Sequence, residues 1–237
     1  MDDLYYFISA VHHNWRRTGN AGFSRSSAQI YSGEIELAEL CQRVYDMVPH
    51  DPVQVFALPA TSTRVTQRTL DFAIVCSRAG ILFPSDLKFV AAKQLIEMFR
   101  TADKAVALRR DVLTIREAIS ATFLRSPYRK GEVWLNSATG VGRQPDVLGQ
   151  RFRLLQRCCG SADFEKIGRA LARAYWEKLA VRERCVRSVL SNDPANPHGW
   201  QRSVSPPGTY QNGGYWALLW LGIWRRSPGS MFPMRTL

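Results

Sequence analysis

The sequence predicts an all-α fold of paired antiparallel helices joined by long loops, and three observations carry that expectation. Apolar residues recur at steps of three and four through most of the chain, the period of a helix with one buried face. The helical segments follow one another in pairs, as in an α/α bundle or an α/α toroid. Strand signals are weak, and "EVWLNS" at 132–137 is the best of them.

Five segments read as helices. In the first, Leu4, Phe7, Ile8, Val11 and Trp15 share a face, and Thr18-Gly19-Asn20 ends it. Leu37, Leu40, Cys41, Val44 and Val48 form the second, which stops at Pro49. The third opens at Pro84-Ser85, with Ser85 as N-cap, Asp86 in the first turn, and Leu87, Val90, Ala91 and Met98 facing inward. A fourth carries Leu108, Val112, Ile115, Ile119 and Phe123 and ends at Ser126-Pro127. The fifth begins near Ser161, has Asp163 and Glu165 in its first turn, and buries Phe164, Ile167, Leu171 and Tyr175. Three windows depart from this order: the Ser/Gly-rich 19–33, the aperiodic 52–78, and a divergent tail at 217–237 with Trp and Arg crowded together. The whole, 1–237, is expected to be one domain.

Composition narrows the function. The chain has 237 residues, 46% of them hydrophobic, enough for a sizeable core. The apolar run Trp216–Trp224 is too short to span a membrane, and the start "MDDLYYFISAV" lacks the basic region of a signal peptide. The five Cys are scattered, with no CxxC and with Cys158 beside Cys159. Reduced thiols, a cytoplasmic location and no metal site or cofactor are expected. The net charge of +12 raises nucleic acid as a partner, but the basic residues are spread along the chain and form no block. The excess comes partly from missing acids: Pro52–Leu70 and Pro194–Leu237 contain no Asp or Glu. Specific nucleic-acid recognition is therefore not expected, although a basic helical nucleic-acid-binding module is the alternative reading.

The stretch "SPPGTYQNGGYW" at 205–216 holds no charge at all. Its prolines and glycines forbid a helix, Gln211 and Asn212 each carry a donor and an acceptor, and Tyr210, Tyr215 and Trp216 offer flat faces with polar tips. That chemistry suits a neutral, hydroxyl-rich ring, and a polar loop capped by core aromatics is the simpler use of the same residues.

Together with "SATGVGRQPDVLG" at 137–149, the segment "PGTYQNGGYWA" at 207–217 resembles the bacterial six-hairpin glycosidases, relatives of glycogen-debranching-type glucosidases. Further segments match in the same order. Asp2–Gly19 is similar to "DxxYYFISAVHxxWRxTGD", and "LFPSDLKFVAAKQLIEM" matches the end of the pattern assigned to Asp71–Met98. Thr139–Leu155 follows "TGxGRQPDVWGxxxAxxLG", and Cys185–Asp193 follows "CVRHVLTND". The resemblance implies an (α/α)6 toroid, here partial, and hydrolysis of glucosides in carbohydrate metabolism by two carboxyls, one giving a proton and one activating water.

Carried onto this chain, the resemblance makes Asp71 and Asp146 the candidate catalytic acids. Asp146 also suits fixing Arg143 or binding a sugar hydroxyl, and a structural salt bridge or an N-cap is an equally good use of it. Arg143, Gln144, Trp134, Tyr210, Gln211, Asn212, Trp216 and His12 are the candidate carbohydrate-binding residues, and core packing is as good a use of each aromatic. His12 and His13 do not share a helix face, so joint metal ligation is not expected.

The departures point to weak or absent activity. Where relatives read "DWGFxDSxRKTG", this chain reads "DFAIVCSRAG", with Cys76 near the place of the second carboxylate, and Leu148 replaces the motif's Trp. A ring missing hairpins leaves apolar helix faces that favour an oligomer. The acid-free windows, the Cys pair and the Trp/Arg-rich tail also suit a partly frame-shifted descendant of such an enzyme.

Overall fold

The computed structural model describes residues 2–19, 22, 26–47, 50–51, 55–59, 82–99, 102–125, 133–136, 145–183, 185–190 and 213–217. Within them run helices α1 (Asp2–Thr18), α2 (Leu37–Asp46), α3 (Leu82–Met98), α4 (Ala102–Phe123), α5 (Val147–Gln156) and α6 (Ser161–Trp176). Four of the five expected helices fall where the apolar period puts them. α1 closes as read: Gly19 takes the left-handed conformation at φ +62, which glycine adopts without a Cβ clash.

α3 corrects the expected start. It begins at Leu82, so Pro84 sits inside the first turn, where a missing N–H removes no helical bond. Ser85 and Asp86 then lie inside the helix and are fully buried instead of capping it. Residues 85–92 are buried on every side of α3, as expected of a helix surrounded by others. α3 packs on α1, α2, α4, α5 and the strand Val55–Pro59.

The long-range side-chain pairs fix helix directions. Ser9 Oγ donates to Gln94 Oε1 at 3.0 Å and His12 Nε2 meets Glu97 Oε2 at 2.9 Å, so α1 and α3 advance together in a constant register of 85 residues. Between α3 and α5, Asp86 pairs with Arg153 at a separation of 67, and Leu82 lies beside Gly149 at the same offset. α1, α3 and α5 are therefore a row of parallel helices. α2 and α4 form a second parallel pair: Lys104 Nζ donates to Glu39 Oε2 at 3.0 Å, and Tyr45 Oη to Asp111 Oδ2 at 3.3 Å. The short link after Met98 folds α4 back along α3, and these two helices share the most extensive helix–helix packing.

The fold is mostly helical, with small antiparallel ladders between the helices. β1 (Ser27–Ile30) pairs β2 (Gly33–Glu36), β3 (His50–Asp51) pairs β4 (Val55–Pro59), and β5 (Leu124–Arg125) pairs β6 (Trp134–Leu135). β8 (Cys185–Arg187) lies between β7 (Val181–Arg182) and β9 (Tyr215–Ala217). Connections that run against the helices satisfy their backbone groups this way, and segments of two to five residues are too short to display a period. The core beneath is continuous, from Tyr5 and Ile8 of α1 through Tyr45 and Leu95 to Ile115 and Trp134. No described helix is long and apolar enough to cross a membrane.

Candidate functional site

The head of α5 gathers the motif segments. Asp146 is the N-cap of this helix, with extended backbone at φ −82, ψ 112, and its Oδ1 accepts from Gly149 N at 2.6 Å. Glycine at 149 is a packing requirement: a Cβ there would meet Asp146 Oδ2 at 2.8 Å and Leu82 Cδ2 at 3.1 Å. Gln150 and Arg153 follow Asp146 at the four- and seven-residue spacing that shares one helix face, and all three are buried. Arg153 Nη1 donates to Asp86 Oδ1 at 2.9 Å and Nη2 to the Cys158 carbonyl at 2.7 Å. The next arginine, Arg151, turns away and donates to Tyr175 Oη of α6 at 2.7 Å.

Ser188 ties this helix head to two other segments. Its carbonyl accepts from Val147 N at 2.9 Å and from Leu148 N at 3.3 Å, its N donates to the Gly214 carbonyl at 3.0 Å, and its Oγ accepts from Gly213 N at 3.3 Å. Around it, Leu190 N donates to the Pro145 carbonyl and Asp146 N to the Leu135 carbonyl, at 3.0 and 2.9 Å. Arg187 Nε donates to the Gly213 carbonyl at 2.9 Å, and its guanidinium lies 5.5 Å from the Tyr215 ring centre. Backbone from 134–136, 145–146, 188–190 and 213–217 thus forms one hydrogen-bonded layer, and Gly213 enters it with φ +92.

Burial governs the electrostatics. It pushes the Asp146 carboxyl up to about 7, against the Gly149 and Leu148 amides that favour its charged form. It pushes Asp86 up to about 8; the Arg153 charge pulls against it and the nearby Asp146 adds to it. Among the described residues, Asp86 Oδ2, Arg153 Nε and both amide atoms of Gln150 have no hydrogen-bond partner. A further buried cation, Lys88, sits 4.5 Å over the Tyr45 ring, and burial lowers it to about 8. The described cysteines Cys41, Cys158, Cys159 and Cys185 are free thiols, and burial raises Cys41 to about 12.

The residues expected at the site divide three ways. Asp146 and Trp216 belong to the Ser188 layer, Trp216 opposite Val186 in β9. Trp134 belongs to the layer through its backbone only: its side chain is 1% exposed and packs in the core, so the expectation that it meets a ligand is corrected. His12 lies apart from this layer. It ties α1 to Glu97, against the Trp15 ring, while Asp86 lies eleven residues back along α3, about 16 Å away. Asp71, Arg143, Gln144, Tyr210, Gln211 and Asn212 lie outside the described residues.

Sequence reasoning missed Asp86, Gln150 and Arg153. The one available signal was their spacing: polar residues at 146, 150 and 153 repeat with the helical period that apolar residues use elsewhere.

No family model matches this chain, and no curated protein does.

Proposed function

We propose that the chain is a glycoside-hydrolase-like protein whose helices form an arc of an (α/α)6 toroid and which holds a neutral carbohydrate over the Ser188 layer, with little or no hydrolysis of its own. One observation carries this reading: the "PDVLG", "CVRSVL" and "GGYWA" segments, far apart in sequence, meet on Ser188. The parallel row α1–α3–α5, with α2 and α4 running beside it as a second parallel pair, supports the arc.

Pro145 is bonded to Leu190 and Gly213 to Ser188, positions about 7 Å apart along an extended backbone. The residues preceding these anchors in sequence are Arg143-Gln144 and Tyr210-Gln211-Asn212, a cationic donor, neutral amides and a ring face that suit sugar hydroxyls. Tyr215, 38% exposed beside Arg187, extends the same surface.

Hydrolysis needs two carboxyls across the bond, about 6.5–9.5 Å apart for inversion. Asp146 is buried and committed to capping α5, so its role in this reading is to position the segment before it. Asp71 is then the remaining acid, without an assigned partner. The expected result is no robust release of reducing sugar from a panel of α- and β-glucosides by the purified chain. Turnover that disappears in Asp71→Asn contradicts the inactive reading and makes Asp71 a catalytic residue.

A further inference from the structure

One side of α4 packs in the core and the other is open. Leu108, Ile115 and Ile119 are buried, while Val106, Arg110, Leu113, Thr114, Glu117 and Ala121 form an exposed stripe along the far side. The stripe advances by steps of three and four, with the adjacent pair Leu113-Thr114 at its middle, which is the pattern of a helix face that can meet another helix. Single exposed apolar residues are ordinary on a protein surface, so Val106 and Leu113, at 52% and 50% exposed, carry little by themselves. The charges among them carry more.

Arg110 and Glu117 stand on the midline of the stripe, seven residues and about 10.5 Å apart. That is too far for a pair within the helix, and the positions three and four residues from each hold no opposite charge. Among the described residues neither has an ion-pair partner.

The stripe is complementary to itself. A two-fold turn about the midpoint between Leu113 and Thr114 sets Arg110 opposite Glu117, Glu117 opposite Arg110, and Val106 opposite the small Ala121, with Leu113 next to the axis. A parallel pairing would set Arg110 against Arg110 and Glu117 against Glu117, so the charges select the antiparallel direction.

We propose that this face of α4 is a dimer interface: a second copy of the chain docks its own α4 antiparallel, with Arg110 of each copy paired to Glu117 of the other. The net charge of +12 opposes self-association, but α4 carries four basic and three acidic residues, so the contact itself is nearly balanced. At about 0.15 M salt, repulsion between charges farther apart than about 8 Å is largely screened. One helix against one helix falls at the small end of specific interfaces, below about 1,200 Å², so the dimer is weak and reversible. The paired charges set its direction and register more than its strength. This inference is independent of carbohydrate binding.

The test is sedimentation equilibrium of the full chain at about 0.15 M salt. The wild-type chain is expected to show a monomer–dimer equilibrium. Arg110→Glu and Glu117→Arg each replace two attractive contacts with two repulsive ones, and each is expected to weaken the dimer about tenfold. The double variant carrying both changes restores the two pairs with reversed sign and is expected to return to within about threefold of the wild type. Both positions are exposed, so the unfolding midpoint of the monomer should barely move in any variant. Association through an unrelated sticky surface would not be rescued by combining the two reversals. A chain that stays monomeric up to about 1 mM, a dimer indifferent to the single reversals, or a double variant no better than the singles overturns the proposal.

Discussion

Replacing Arg153 by alanine is expected to lower stability by about 3–5 kcal/mol, a large share of what a domain of this size has. The guanidinium is fully buried and serves two acceptors, Asp86 Oδ1 and the Cys158 carbonyl. Without it the Asp86 carboxyl is left with no donor, and desolvation drives it to hold its proton. The Cys158 carbonyl, just past the end of α5, loses this donor as well. The loss should come mainly from stranding Asp86, since a buried ion pair as a whole contributes little net stability. Removing both charges with Asp86→Leu and Arg153→Met should therefore cost less than Arg153→Ala alone. Urea unfolding of the two single variants and the double variant gives this coupling directly. Equal losses in Arg153→Ala and the double variant would mean that the charge pair is not what holds α5 to α3.

Trp134→Ala is expected to cost about 3–5 kcal/mol, through the lost burial and the cavity that remains. Trp134 is the largest fully buried side chain in the described core, and it stands in β6 where the Phe123 end of α4 meets the Ser188 layer. This prediction separates two uses of the same residue. A ring that stacks on a sugar would lose affinity on truncation with little change in unfolding. A core ring loses stability first, seen as a lower thermal midpoint without any ligand present.

Much of the helical framework could be read from the sequence, because α1, α2, α4 and α6 keep an apolar stripe against a polar remainder. α3 was legible as a helix but not at its start, since Pro84-Ser85-Asp86 has the composition of a cap while Leu82 is already helical and buried. α5 was not among the expected helices. Besides Val147 and Phe152 it buries Asp146, Gln150 and Arg153, and residues of that kind ordinarily face water. Asp86 was read as an acid favoured by the helix dipole for the same reason. The parallel order of α1, α3 and α5 rests on pairs 67 and 85 residues apart, which no local period encodes. The convergence on Ser188 depends on backbone amides and carbonyls, and every residue carries those groups.

Carbohydrate is proposed to bind over the Ser188 layer. Titration of the full chain with a linear α-glucan oligosaccharide, followed by backbone amide shifts, tests it most directly. The claim predicts saturable shifts centred on Ser188, Gly213, Gly214 and Tyr215, weakened by Tyr215→Ala, with the amides of His12 and Glu97 unmoved. An absence of saturable shifts at millimolar glucan, or shifts centred on the His12–Glu97 end of α3, would contradict it.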